Sequence, residues 1–219
     1  FVKRGFLPEA IVNYIALLGW SPKCDQEKFT MDELIEKFSI SGLSKSSSIF
    51  DEAKMKWLNG EYIKELDFNK FMELATPFFE QSKIKGKYSY EKLGKLLQSR
   101  IEIFSEIPEK VAFLAEFNEF DLSLYDNKKF KINKDVAKTV LIASLPKFEA
   151  LNEWTEDKLH EVILKTAEEL ETKSGQVYTV LRIALSGVSV TPGGSVELAD
   201  ILGKEETIDR IKKAISWIK

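Results

Sequence analysis

Apolar residues recur at helical spacing along most of the chain. The clearest stripe consists of Leu93, Leu96, Leu97, Ile101 and Phe104. Intervals of three and four residues place such side chains on one face of an α-helix. Helix start signals precede several stripes, among them Thr30 with Glu33 three residues later, the pattern of a capping box. The pattern predicts an all-α protein made of compact helical bundles.

The predicted helices lie between segments rich in turn-forming residues. They cover about 8–19, 30–38, 50–60, 61–64, 67–80, 89–104, 108–113, 133–151, 155–172, 176–185, 195–202 and 205–218. Segment 176–185 is rich in β-branched residues and resembles a strand. We predict a helix there because Gly187 stands where a helix-ending glycine is expected. Segments 39–48, 118–131 and 189–194 are predicted loops.

Composition is that of an ordinary folded protein. The 219 residues include 32 Lys and Arg against 35 Asp and Glu, which gives a formal net charge of −3. The apolar content argues against disorder, and no stretch approaches the roughly 18 apolar residues of a membrane span. The acidic balance shows no sign of a basic nucleic-acid-binding protein.

The residues that most often carry catalysis or bind metals are scarce. One cysteine, Cys24, and one histidine, His160, exclude an intramolecular disulfide and a zinc site of cysteines and histidines. We expect Cys24 to be buried or inert in a reducing cytosol and His160 to be a surface or half-buried residue. The carboxylates at 168, 169 and 171 point to different helix faces and are expected to be solvated. Phosphate-binding glycine loops and a Gly-x-Ser-x-Gly motif are absent. The residues therefore indicate a binding module or a fragment, and we expect no catalytic residue and no metal ligand.

The first residues suggest a chain cut from a longer protein. Phe1 and Val2 followed by Gly5 resemble the last turn of a helix and its terminal glycine.

Three stretches carry the most specific patterns of the chain: residues 5–21 (GFLPEAIVNYIALLGWS), residues 50–63 (FDEAKMKWLNGEYI) and residues 174–205. They resemble bacterial glutamyl-tRNA synthetases. Residues 5–21 are similar to the segment after that family's catalytic signature loop, and residues 50–63 are similar to its next signature. Residues 174–205, with LRIALSG at 181–187 and TPG at 191–193, resemble the family's anticodon-reading region. The stretches occur in family order and span essentially the whole chain.

The resemblance implies two all-helical domains, a stem-contact domain over 1–72 and an anticodon-binding domain over 73–219. The catalytic domain would lie before Phe1, and the stretch from Leu43 to Ser46 receives no catalytic role. The intact protein would be a glutamate–tRNA ligase that uses ATP and Mg²⁺. The fragment alone is expected to hold no cofactor and to be inactive.

The resemblance also implies which residues read the anticodon. They are Arg100, Arg182, Thr191, Pro192 and Gly193. The planar fork of arginine donors suits the edges of splayed bases. Glutamate and glutamine anticodons differ at the third letter, C against G, and Arg100 resembles the arginine of enzymes that accept C. From the residues alone, a surface salt bridge for Arg100 and a simple turn at 191–193 stay open.

Four further residues match the family's stem-contact signature. They are Lys54, Lys56, Trp57 and Asn59. The lysines would neutralise phosphates without reading sequence, and we expect Trp57 to be a core residue rather than a stacking platform. Lys83, Lys85, Lys87, Lys128 and Lys129 are expected to be solvated.

The expected partner is tRNA-Glu, bound by a monomeric cytoplasmic protein that binds neither membrane nor DNA. The alternative is a helical scaffold that binds another protein and has no enzymatic role.

Overall fold

The computed structural model describes residues 1–22, 24–45 and 48–218. Its α-helices are α1 (Pro8–Gly19), α2 (Met31–Lys37), α3 (Glu52–Glu65), α4 (Phe68–Glu80), α5 (Tyr90–Leu97), α6 (Ile107–Lys110), α7 (Lys134–Glu149), α8 (Glu156–Glu169), α9 (Ser174–Ser186) and α10 (Ser195–Trp217). Five short 3₁₀ turns join them at Val2–Arg4, Ile40–Gly42, Phe104–Glu106, Ala112–Leu114 and Leu122–Tyr125. These ranges contain no strand, only isolated bridges at Trp20–Leu43 and Asn127–Ile132. The all-α prediction is confirmed.

The chain forms two compact units, one from residues 1–82 and 97–109 and the other from 83–96 and 110–219. The predicted domains, 1–72 and 73–219, stay a prediction. Of the predicted loop at 39–48, Ser46 and Ser47 lie outside the described residues. None of the described helices is long and apolar enough to cross a membrane.

The first unit is organised around α1 and α3. Its main core cluster consists of Phe6, Tyr14, Met55, Leu58 and Ile103. A second cluster, Trp20, Phe29 and Leu34, lies where α2 follows α1. The expected helix-ending glycine is confirmed at Gly5, which closes the first 3₁₀ turn with φ 88°. A Cβ there would lie 2.5 Å from Cβ of Phe104, so this position requires glycine.

Two predicted helix boundaries in this unit are wrong. We expected a break at Asn59-Gly60, but α3 runs through it. A Cβ on Gly60 would lie 3.3 Å from Cα of Glu102, so this glycine permits close backbone approach instead of ending the helix.

The helix predicted to reach residue 104 ends at Leu97. The Arg100 amide bonds to the Leu97 carbonyl in a tight turn, and the Gln98 side chain donates to the carbonyls of Ile63 and Leu66. Ile101 and Phe104 are still buried, as their apolar character required.

The second unit packs α7, α8, α9 and α10 together. Helix α9 contributes a deeply buried set, Val177, Val180, Leu181, Ala184 and Leu185. The prediction of a helix over 176–185 is confirmed, with Gly187 at its end in a left-handed conformation, φ 68°. Helix α10 breaks at Gly203, where φ is 77° and ψ is 172°, which agrees with the two predicted segments 195–202 and 205–218.

Candidate functional site

Helix α3 places the two predicted stem-contact lysines, Lys54 and Lys56, at half-buried positions. Asp51 caps the helix, and its carboxylate accepts the backbone N–H of Lys54 at 3.1 Å. The ammonium of Lys54 lies 2.5 Å from the Glu27 carboxylate, and that of Lys56 lies 3.7 Å from Glu52. A phosphate contacting either lysine would therefore compete with a carboxylate already in place.

Trp57 follows these lysines and is 42% exposed. The expectation that it is a core residue is wrong. Met55 and Leu58, on either side in sequence, are buried. At 100° per residue, Trp57 projects from a different side of α3 than its apolar neighbours. Its indole is open to a partner in solution.

Asn59 is fully buried and both ends of its amide are used. Its Oδ1 accepts the backbone N–H of Leu7 at 2.8 Å, and its Nδ2 donates to the carbonyl of Glu102 at 2.5 Å. It thus ties the start of α1 to α3 and to the segment after α5. Because no part of this side chain reaches the surface, a direct contact with RNA would require the surrounding packing to open, so we assign Asn59 a structural role.

A surface pocket of about 180 Å³ lies between α3 and the segment that follows α5. Its lining is Trp57, Gly60, Glu61, Lys64, Ser99, Arg100, Ile101 and Glu102. Arg100 is exposed and belongs to the turn after α5 instead of the predicted helix. Lys64 and Glu102 are not predictable as neighbours of Arg100 from the sequence, because their proximity depends on where α5 ends.

Arg182 lies on α9 and is half-buried. Burial lowers the pKa of its guanidinium. Its Nη1 donates to the carbonyl of Ser189 at 2.9 Å, and across the described residues no carboxylate pairs with it. A partly desolvated cation without an opposite charge attracts an anion or the acceptor edge of a base.

The loop after α9 is held by its own hydrogen bonds. The Thr191 hydroxyl donates to the carbonyl of Gly193 at 2.6 Å, and the Gly194 amide donates to Glu197 at 3.1 Å. Gly193 is buried, and Thr191 and Pro192 are half-buried. A Cβ on Gly193 would lie 2.8 Å from the Leu96 side chain, so the loop backbone packs closely against that residue. Val190 at the tip is 81% exposed. An ordered loop therefore presents an apolar residue beside Arg182.

Other candidate residues carry no site. His160 is exposed as expected, with Nδ1 2.6 Å from the Tyr178 hydroxyl, and the carboxylates at 168, 169 and 171 are exposed. Cys24, expected to be buried or inert, is exposed, so burial is wrong and an inert thiol stays a prediction. Over the ranges that the structure describes, no three His, Cys, Asp or Glu side chains form a group that could hold a metal ion.

A family model described as "Anticodon binding domain" matches residues 70–215. The chain is also 46% identical, over its full length, to a glutamate–tRNA ligase of Clostridium novyi. The chain belongs to the anticodon-binding domain family. A second model, "tRNA synthetases class I (E and Q), catalytic domain", matches residues 1–57.

Further glutamate–tRNA ligases resemble the chain in sequence and structure. A Clostridium botulinum glutamate–tRNA ligase is 44% identical over 99% of the chain. The crystal structure of a glutamate–tRNA ligase from Elizabethkingia meningosepticum, in complex with its amino acid, matches all of the chain with TM-score 0.83 and 28% identity. The chain covers 45% of the Clostridium novyi protein and 43% of the Elizabethkingia chain, so it spans about half the length of these relatives.

Proposed function

We propose that this chain is the tRNA-binding part of a glutamate–tRNA ligase and that it positions tRNA-Glu and reads its anticodon. The observation that carries the proposal is the anticodon-binding domain match over residues 70–215, within a chain that resembles glutamate–tRNA ligases over its full length.

In the second unit, Arg182 and the loop at 191–193 are the proposed anticodon contacts. The guanidinium is half-buried without a carboxylate partner among the described residues, so a base acceptor would gain a strong, partly desolvated hydrogen bond. Splayed anticodon bases expose their edges and faces to such groups. The half-buried Thr191 and Pro192 shape the surface, and buried Gly193 keeps the loop close to α5.

In the first unit, α3 supplies the proposed contacts to the tRNA stem. Lys54 and Lys56 are half-buried on this helix and would neutralise phosphates, which carry no sequence information. Their pairing with Glu27 and Glu52 limits the charge they offer, so we expect modest affinity for tRNA.

In the intact protein, we propose that glutamate is ligated to tRNA-Glu with the use of ATP and Mg²⁺, in the cytoplasm and by a monomer. Among the described residues, no three His, Cys, Asp or Glu side chains form a group that could hold a metal ion. The chain alone is expected to lack ligase activity.

A binding titration tests the proposal. The chain should bind tRNA-Glu, and raising salt should weaken the binding as phosphate contacts are screened. Fluorescence anisotropy with labelled tRNA-Glu, repeated with a tRNA of altered anticodon, measures both effects. Binding that ignores the anticodon, or no binding at low salt, would contradict the proposal and favour a protein-binding scaffold.

Arg100→Gln should relax discrimination at the third anticodon letter by roughly 1–3 kcal/mol, because a two-pronged contact to a base edge is lost. The measurement compares the affinities of tRNA-Glu carrying C or G at that letter, for the original chain and the variant.

Lys70→Gln is the matched control for this change. It also removes one positive charge from an exposed side chain, and Lys70 pairs with Glu73 within its own helix. It should lower the affinities for both tRNAs equally. Equal affinity of the original chain for the two tRNAs would refute the role of Arg100.

A further inference from the structure

The first segment of α10, residues 195–202, follows directly on the loop at 191–193. The Gly194 amide, just before this segment, donates to the Glu197 carboxylate at 3.1 Å. At its other end the segment stops at Gly203, where φ is 77° and the backbone is not helical. We call residues 195–202 the loop mount, because a shift of this short helix would carry the loop with it.

Side chains from two other elements bond to the loop mount just before the break at Gly203. The carbonyl of Ala199 accepts the indole N–H of Trp154 at 3.0 Å. The carbonyl of Asp200 accepts the ammonium group of Lys92 at 3.2 Å. The position of the mount therefore depends on these neighbours as well as on the rest of α10.

Helix α5 contacts both the mount and the loop. The Lys92 ammonium lies 2.8 Å from the Asp200 carboxylate, in addition to its bond to the carbonyl of the same residue. Leu96 lies one turn further along α5 on the same face, and a Cβ on Gly193 would lie 2.8 Å from its side chain. The same face of α5 thus holds the loop at one point and its mount at another.

We infer that Lys92 is a positioning residue for anticodon reading, acting through the loop mount and not through contact with RNA. The Asp200 side chain is 14% exposed, whereas that of Lys92 is 45% exposed. Loss of the ammonium would leave a largely buried carboxylate without this partner, and a shift of the mount toward water would relieve that cost. The loop at 191–193 would then move relative to Arg182. The inference rests on the proposed function, since it concerns how the proposed anticodon contacts are held.

Lys92→Met should reduce the preference for tRNA-Glu over a tRNA-Glu with changed first and second anticodon letters by about 2- to 30-fold. Methionine keeps an apolar stem and removes the ammonium. The third letter is assigned to Arg100, whose turn is held separately by the bonds of Gln98, so the preference for C over G should stay unchanged. Fluorescence anisotropy with tRNA-Glu, the tRNA changed at the first two letters and the tRNA changed at the third measures both ratios.

Lys95→Met is the matched control on the same helix. Lys95 pairs with Glu91 within α5, and both of these side chains are more than 60% exposed. The variant removes the same charge without touching the mount. It should weaken the three tRNAs by an equal factor and leave both preferences as they are.

Two further variants separate positioning from a general loss of structure. Lys92→Arg keeps a charged donor and should retain most of the preference. Asp200→Asn weakens the same contact and should reduce the preference, and its effect combined with that of Lys92→Met should be smaller than the product of the two. Circular dichroism and urea unfolding check each variant, and a half-exposed ion pair contributes little to global stability.

The outcomes separate this inference from the proposed function. If Lys92→Met weakens all three tRNAs equally, as Lys95→Met does, Lys92 offers only charge to the phosphates and the inference is wrong while the proposed function stands. If Lys92→Met does not fold, the ratios for Asp200→Asn decide, and an unchanged preference refutes the inference. If the original chain does not distinguish the anticodons, the proposed function is wrong as well.

Discussion

Arg210→Ala is expected to lower the free energy of unfolding by about 3–5 kcal/mol, the range for breaking a buried ion pair by removing one partner. The Arg210 side chain is 2% exposed and its Nη2 lies 2.6 Å from the Glu206 carboxylate. Its guanidinium also donates to the carbonyls of Leu185, at 2.7 Å, and Leu114, at 3.2 Å. Alanine would leave these acceptors without their donor in the interior of the second unit. Urea unfolding followed by circular dichroism measures the change.

The loss of unfolding free energy caused by Arg210→Ala should depend on pH. Burial raises the pKa of Glu206, but the hydrogen bonds from Arg210 and Tyr88 outweigh burial and hold it below the ordinary value of 4.5. A lowered folded-state pKa stabilises the protein above the unfolded-state value, and this contribution disappears as pH falls through the folded-state value. The difference in stability between the original chain and Arg210→Ala should therefore shrink in acid.

Lys213→Ala is the control for this change. Lys213 lies one turn further along α10 and pairs with Asp209, and both side chains are about half exposed. Its loss should change stability by less than about 1 kcal/mol. An Arg210→Ala protein as stable as this control would show that the buried network contributes nothing.

Asn59→Ala should lower the free energy of unfolding by about 2–3 kcal/mol. The substitution removes the partner of the Leu7 amide and of the Glu102 carbonyl, and a buried group left without a hydrogen bond costs about 1–3 kcal/mol. Thermal or urea unfolding of the original chain and of the Asn59→Ala variant measures the loss of stability.

Asn69→Ala makes the same substitution at an exposed position of α4 and should stay within about 0.5 kcal/mol of the original chain. If Asn59→Ala unfolds like this control but loses tRNA binding, Asn59 is a direct RNA contact after all.

The sequence predicts the helical fold well because the signals are local. The side chains of Thr30, Asp67, Asn133 and Thr155 cap the helices that they precede, as such residues do in isolation from tertiary structure. Helix α9 is predicted against its β-branched composition by the glycine at its end and by the lack of an evident partner strand in the sequence.

The errors arise where tertiary contacts override local signals. Gly60 has the appearance of a helix end, but its lack of a side chain serves packing against Glu102. The apolar stripe from Leu93 to Phe104 predicts burial correctly and helix length wrongly, because apolar residues are buried in turns as well as in helices.

The candidate site is predicted less completely for the same reason. Family resemblance supplies Arg100 and Trp57, but only the fold shows that they line one pocket with Lys64 and Glu102. The spacing of residues along α3 could not show that Asn59 is buried and Trp57 is exposed. A helix with neighbours on several sides can bury or expose either position.

The loop after α9 carries a thermodynamic consequence. Its bonds from Arg182 to Ser189, from Thr191 to Gly193 and from Gly194 to Glu197 form within the chain itself. The conformational entropy of these residues is therefore lost during folding and not at the encounter with RNA. In the proposed complex, this loop would therefore contribute little ordering cost to the free energy of binding.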